Sequence, residues 1–240
     1  MSPAPEIATR RIGTVPTLVV SHGGKLGTVL LFHGLGASKE ANLPELHQLA
    51  SAGFVAIGVD AVGHGERRYP DFEQRFASGS GHEAPAALFE VVEQTTAEIP
   101  RLVDGLAREG LCEAGRLGIA GVSMGGYITF GAVLAERRFS AAVSLVGSPR
   151  WRPCAERSPH LYPERFAPVA LLIQTAGKDA SVPPEQARDF HARLVPHYRR
   201  FPERLRYEEL PDAVHMMSAA QWQQMTTNTV DWLRRYVGSS

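Results

Sequence analysis

The chain of 240 residues is predicted to fold as an α/β protein, a mostly parallel central sheet with helices on both faces. Three observations carry that prediction. Strand-like and helix-like segments alternate along almost the whole length. The stretch Gly121-Val122-Ser123-Met124-Gly125-Gly126 reads as a sharp corner between a buried strand and an apolar helix. The residues with reactive side chains fall just after the strand-like segments, where ligand sites of such sheets lie.

The elements follow in order. Thr17–Val20 and Thr28–Phe32 read as strands joined by a His22–Lys25 turn, as in an opening hairpin. Leu43–Ala52 suits a helix ended by Gly53. Phe54–Val59 is the next buried strand and finishes at Asp60. Residues 66–85 are polar and irregular and are expected to form an excursion at the sheet edge. A long helix is expected over Ala86–Arg108, bent or divided at Pro100. Arg116–Ala120 precedes the corner as a strand, and Tyr127–Glu136 follows it as a helix. Ala141–Val146 and Val169–Gln174 are further strands, and Pro183 and Pro184 open a helix toward His197. Leu205–Leu210 is the last strand and Ala219–Tyr236 a closing amphipathic helix. No stretch resembles a linker, so residues 1–240 are expected to form one domain.

Composition excludes several function classes. Lysine plus arginine balances aspartate plus glutamate, 25 against 25, which gives no electrostatic case for a nucleic-acid partner. Cys112 and Cys154 lie far apart and match no metal or redox spacing; both are expected to stay thiols in a reducing compartment. Residues 1–11 contain no apolar h-region, and no segment approaches membrane-spanning length. A cytoplasmic enzyme without a membrane partner is expected. The sequence carries no signal for oligomeric state.

The corner fits G-x-S-x-G, a turn that pushes a serine hydroxyl out of the sheet. Larger side chains at Gly121 or Gly125 would collide with neighbouring backbone. A serine hydroxyl is a poor nucleophile until a base takes its proton, and the base needs an acid that fixes its tautomer. His160, His191, His197 and His215 follow Ser123. His191 and His197 fall in the helix after Pro184, whereas His215 stands in the loop past the last strand and is the expected base. Asp179 follows a strand and is the expected acid. Asp212, only three residues before His215, is expected to shape its own turn. For the oxyanion of a tetrahedral intermediate, the expected donors are the backbone N–H groups of Met124 and Leu35. His33 is expected to support the Leu35 loop by hydrogen bonding. Trp151, His160, Tyr162 and Phe166 are candidates to line a substrate pocket, with Phe72 and Phe76 on its other side; for the aromatics plain packing is an equal reading.

His33-Gly34-Leu35-Gly36, Gly63-His64-Gly65, the Gly121–Gly126 corner, Gly177-Lys178-Asp179 and His215 resemble the α/β-hydrolase superfamily in order and spacing. The resemblance spans roughly residues 19–236. His33–Glu40 and Asp60–Gly65 are similar to compact bacterial serine esterases related to dienelactone hydrolases and to prolyl oligopeptidase catalytic domains. It implies the α/β-hydrolase fold and acyl transfer to water through an acyl-serine, with no metal and no organic cofactor. The implied substrate is a small-molecule ester of small to medium acyl size, and the implied class is a carboxylic-ester hydrolase. A thioesterase, a small amidase or a non-catalytic binding protein of this fold are the alternatives. Dienelactone hydrolases use cysteine where this chain has Ser123, which argues against that activity. The connection from Gly147 to Pro168 is too short for a multi-helix cap, so a minimal cap is expected.

Overall fold

A computed structural model describes residues 6–24, 26–77, 86–151 and 155–238. Eight strands form one sheet: β1 (Glu6–Ile12), β2 (Val15–Ser21), β3 (Thr28–Phe32), β4 (Val55–Val59), β5 (Leu117–Val122), β6 (Phe139–Leu145), β7 (Ala170–Ala176) and β8 (Leu205–Leu210). Their order is β1-β2-β4-β3-β5-β6-β7-β8. β2 pairs antiparallel with β1 and β4, and every pairing from β4 to β8 is parallel. Buried parallel strands must be apolar on both faces, which is why β3 and β6 read as unbroken runs such as Thr28-Val29-Leu30-Leu31-Phe32.

The two-residue period of the strands divides the core. Leu30, Phe32, Ile57 and Val59 face one side. There they meet α3 (Ala86–Arg108), α4 (Met124–Ala135) and α5 (Glu185–Leu194) through residues such as Val92, Ile128 and Phe190. Val29, Leu31 and Ala56 face the other side, against α1 (Leu43–Ser51) and α6 (Ala219–Val237) through Leu46, Leu49, Trp232 and Leu233. α4 is apolar all round because it packs against both the sheet and α3, and ten of its residues are buried.

Three details refine or correct the sequence expectation. The opening hairpin is not Thr17–Val20 with Thr28–Phe32. It is β1 with β2, closed by Gly13-Thr14 between the paired Ile12 and Val15, with Gly13 at φ 59°. β2 is buried nearly throughout and so needs a neighbour on each side, and the polar, exposed β1 covers its outer edge. Of the two outcomes expected at Pro100, division does not occur: α3 runs through it as one helix. The stretch after β4 is less irregular than expected: it holds a 3₁₀ turn at Gly65–Arg67 and a short helix, α2 (Phe72–Arg75). Its remainder, 78–85, lies outside the described residues, as does Cys154. Cys112 is a free, half-buried thiol.

The loop from β8 to α6 ends in a capping box. The Ser218 hydroxyl accepts from the Gln221 N–H, and the Gln221 side chain accepts from the Ser218 N–H at 3.0 Å. This cap satisfies two of the donors that open every helix, three residues beyond His215. Ser218→Ala should therefore lower unfolding stability by about 1 kcal/mol. Urea denaturation of both forms checks this, and equal midpoints would remove the cap from the account.

Candidate active site

The chain passes from β5 to α4 through a single residue. Ser123 sits at φ 54°, ψ −111°, a left-handed backbone that costs a non-glycine residue of order 1–3 kcal/mol. Its surroundings hold it there. The Ser123 N–H donates to the Leu145 carbonyl at 2.8 Å, and its own carbonyl accepts from Tyr127 N–H at 3.1 Å. Backbones meet so closely at this corner that only glycine fits around it. A Cβ on Gly121 would lie 2.1 Å from the Gly125 oxygen, and one on Gly125 would lie 2.2 Å from the Phe32 oxygen. Gly126 is pressed in the same way against Gly147, after the second left-handed non-glycine residue, Val146 at φ 45°.

Two further loops bring a histidine and a carboxylate to this serine. Ser123 Oγ lies 3.0 Å from His215 Nε2, and His215 Nδ1 lies 2.6 Å from Asp179 Oδ2. Asp179 is buried, and its other oxygen accepts the Ser181 and Val182 N–H groups at 2.9 and 2.8 Å. Those bonds hold the carboxylate facing the imidazole. With Nδ1–H donating to Asp179, the free lone pair of Nε2 points at the serine hydroxyl. The loops carrying Asp179 and His215 are themselves tied together. Gly177 N–H donates to Leu210 and Lys178 N–H to Ala213, both at 2.8 Å. The approach is so tight that a Cβ on Gly177 would meet the Pro211 oxygen at 2.6 Å. Asp212 is turned away and pairs with Lys178 at 2.7 Å, with its side chain 84% exposed.

The loop after β3 lies directly on the serine: a Cβ on Gly34 would be 3.8 Å from Ser123 Cβ. The Gly34 carbonyl accepts from His33 Nδ1 at 2.8 Å and from the Ala37 N–H at 3.2 Å. A trans peptide sets its C=O and following N–H on opposite sides, so those bonds turn the Leu35 N–H away from His33. The Met124 N–H is the first of α4 and has no acceptor within its helix. His33 Nε2 accepts from Ala61 N–H at 3.1 Å, which fixes the tautomer and joins the loops after β3 and β4. Burial holds the His33 pKa below the usual histidine value, so the ring works as a neutral brace.

Beneath these loops lies a network that no local residue pattern announces. Lys39 and Asp60 are both fully buried. Asp60 accepts from Lys39 N–H at 2.8 Å, Lys39 Nζ at 3.1 Å and Glu66 N–H at 3.0 Å. Burial disfavours the ammonium, but its bonds to Glu40, Glu66 and Asp60 outweigh that and raise the Lys39 pKa. Gly65, at φ 56°, leaves the space the Asp60 carboxylate fills, since a Cβ there would lie 2.1 Å from Asp60 Oδ1. His64 is fully buried against Phe72 and Phe76, with Nδ1 2.9 Å from the Val62 carbonyl and Nε2 without a partner. Burial pushes its pKa down to about 4.

The four residues proposed from sequence to line a pocket do not form one wall. Phe166 is fully buried, stacked edge-on between Phe130 and Phe190, and its surface is used up in the core. Trp151 is also buried, lying over Gly131 on α4, where a Cβ would be 2.6 Å from the indole. With Tyr162 it lines a groove of about 280 Å³ along the flank of α3 and α4. The Tyr162 hydroxyl donates to the Glu156 carbonyl at 2.5 Å. His160 is half-buried with Nδ1 2.7 Å from Ser158 Oγ. Residue type alone did not say which aromatic side chains the core would absorb. Among the described residues, no cluster of three or more His, Cys, Asp or Glu side chains is arranged to hold a metal ion.

A mostly parallel sheet with a strained serine at one strand-to-helix corner defines a recognisable class. The chain belongs to the α/β hydrolase family, whose model matches residues 29–237. It is 30% identical over 238 residues to a Bacillus subtilis (strain 168) protein named "Putative esterase YitV", covering 87% of this chain and 89% of that one. Among solved structures it is similar to TT1662 from Thermus thermophilus, with TM-score 0.82 and 21% identity, over 99% of this chain and 100% of that one. It is also similar to the Pyrococcus furiosus esterase Pf2001, with TM-score 0.72 and 13% identity, over 98% and 92% of the two chains. Those two likenesses establish the fold. Among the described residues no helix is long and apolar enough to cross a membrane.

His64 makes stability depend on pH. Its folded pKa of about 4 lies below the ordinary histidine value of 6.5, so between these values the unfolded chain binds a proton that the folded chain does not. Stability should be fully present above pH 6.5 and fall as the pH drops toward 4. The loss from this group at pH 5 should be roughly 2 kcal/mol relative to pH 7.5. Urea denaturation of wild type and His64→Phe at both pH values measures it. The pH-dependent loss should shrink in the variant, and an unchanged loss would assign it to other groups.

Proposed function

We propose that this chain is a serine carboxylesterase that hydrolyses small to medium acyl esters through an acyl-serine intermediate, without a cofactor. The observation that carries this reading is the continuous chain Ser123 Oγ, His215 Nε2, His215 Nδ1, Asp179 Oδ2, with separations of 3.0 and 2.6 Å. The similarity to a protein named as an esterase supports the reaction class. In the first step Ser123 Oγ bonds to the ester carbonyl carbon while its proton moves to His215 Nε2. The carbonyl electrons move onto oxygen, where the Leu35 and Met124 N–H groups are the donors in this reading. When the tetrahedral intermediate collapses, the bond to the alcohol oxygen breaks and His215 returns its proton to that oxygen. Water then attacks the acyl-serine, giving its proton to His215, and the collapse frees the acid and restores the Ser123 hydroxyl. Asp179 stabilises the imidazolium in both halves. Each oxyanion donor is typically worth about 10² to 10³ in rate.

The balance of 25 basic against 25 acidic residues gives no electrostatic case for a nucleic-acid partner. A cytoplasmic setting suits the free Cys112. Hydrolysis of p-nitrophenyl butyrate tests the proposal. Ser123→Ala should lower kcat by roughly 10⁴, Asp179→Asn by at least about 10², and Asp212→Asn by less than about twofold. With the acyl group held constant, the ester should react faster than the thioester or anilide. Undiminished turnover by Ser123→Ala would remove the nucleophile, and a large effect confined to Asp212→Asn would overturn the acid assignment.

A further inference from the structure

Large apolar side chains normally leave water on folding, so those that stay out are informative where they cluster. Among the described residues Ile7, Leu161, Val195 and Phe201 are exposed outside the loops that carry Ser123, Asp179 and His215. Three others stand beside the reacting groups: Leu35, 41% exposed, on the loop over Ser123, and Val214 and Met216, 48% and 86% exposed, on either side of His215. The latter pair sits on a short arch with both feet fixed. At one end Ala213 is fully buried and its carbonyl accepts the Lys178 N–H; at the other, Met217 packs against the core and Ser218 caps α6. The arch is thus held by its neighbours, and its two apolar side chains are not drawn into the protein.

We propose that Val214 and Met216 form the docking surface for the alcohol part of the substrate, and that this part is an uncharged aliphatic group. The inference rests on the serine esterase reading. In that reading His215 Nε2 must deliver a proton to the leaving oxygen, so the alcohol lies against His215 as the bond breaks. The residues on either side are one Cα step, about 3.8 Å, from His215, within reach of whatever follows that oxygen. Asp212, the charged residue nearest to this arch in sequence, is bound to Lys178 at 2.7 Å, so Val214 and Met216 offer the alcohol apolar contact and not an ionic partner. Methionine is flexible and polarisable, which suits contact with chains of varied length.

Two ester series separate this proposal from its alternatives. Acetate esters of ethanol, butanol and hexanol vary the alcohol, and ethyl esters of acetic, butyric and hexanoic acid vary the acyl group. The wild-type kcat/KM should rise along the alcohol series by about twofold per methylene, below the roughly fourfold of complete burial because the surface is half open. Met216→Ser and Val214→Ser should each cut the hexyl-to-ethyl ratio of the alcohol series by at least about threefold, leaving the slope of the acyl series in place. Phe201→Ser, an exposed aromatic elsewhere, should move neither slope. An unchanged alcohol slope in both rim variants, or a change confined to the acyl series, would overturn the proposal. Turnover that survives Ser123→Ala would instead overturn the serine reading beneath it, so the two failures are distinguishable.

Discussion

The rest of the site depends on one backbone constraint: Ser123 must turn the chain from strand to helix within a single residue, at φ 54°. No side chain larger than hydrogen fits at Gly121 or Gly125 when that turn is made. The strain is local, but what opposes it is not. β6 holds the Ser123 N–H through Leu145, β3 closes over Gly125 through Phe32, and the turn after β6 packs Gly147 on Gly126. β3 and β6, the two parallel neighbours of β5, therefore act as the mould for one hydroxyl. Because the α4 N-terminus begins at the next residue, the same corner that presents the hydroxyl also presents an unpaired N–H beside it.

Around this corner two braces set the other groups. On one side, Asp179 and His215 come from loops that are joined by backbone hydrogen bonds from Gly177 to Leu210 and from Lys178 to Ala213. On the other, neutral His33 and the buried Lys39–Asp60 pair join the loops after β3 and β4. Breaking such a buried pair by removing one partner leaves a charge without compensation, typically at a cost of 3–5 kcal/mol. The loop carrying Leu35 is thereby supported by ionic and imidazole contacts that do not themselves touch the serine hydroxyl.

How much of this could be read from the sequence depends on whether local chemistry or long-range packing decides each feature. The corner was legible because steric exclusion leaves glycine at Gly121 and Gly125 as a written trace. Asp179 could be told from Asp212 because Asp212 lies only three residues before His215, where a carboxylate serves its own turn, and in the structure Asp212 binds Lys178. The opening hairpin was misread because β1 is polar and mostly exposed, and nothing local in Glu6–Ile12 announces that β2 needs an outer neighbour. Phe166 was grouped with a pocket because an aromatic ring looks alike whether it faces substrate or core; Phe130 and Phe190, distant in sequence, decided it. Lys39 was invisible for the opposite reason. Lysine is almost never fully buried unless paired, and its partner Asp60 comes from a different strand end.

In the proposed reaction the strained corner delivers an activated nucleophile. The most direct test is covalent: treat the protein with a fluorophosphonate, digest it, and locate the adduct by peptide mass spectrometry. One adduct per chain is expected, on Ser123, formed in step with loss of esterase activity and suppressed when His215 is replaced by Ala. An inactivated protein with Ser123 unmodified, or an adduct formed as fast without His215, would contradict the proposed reaction.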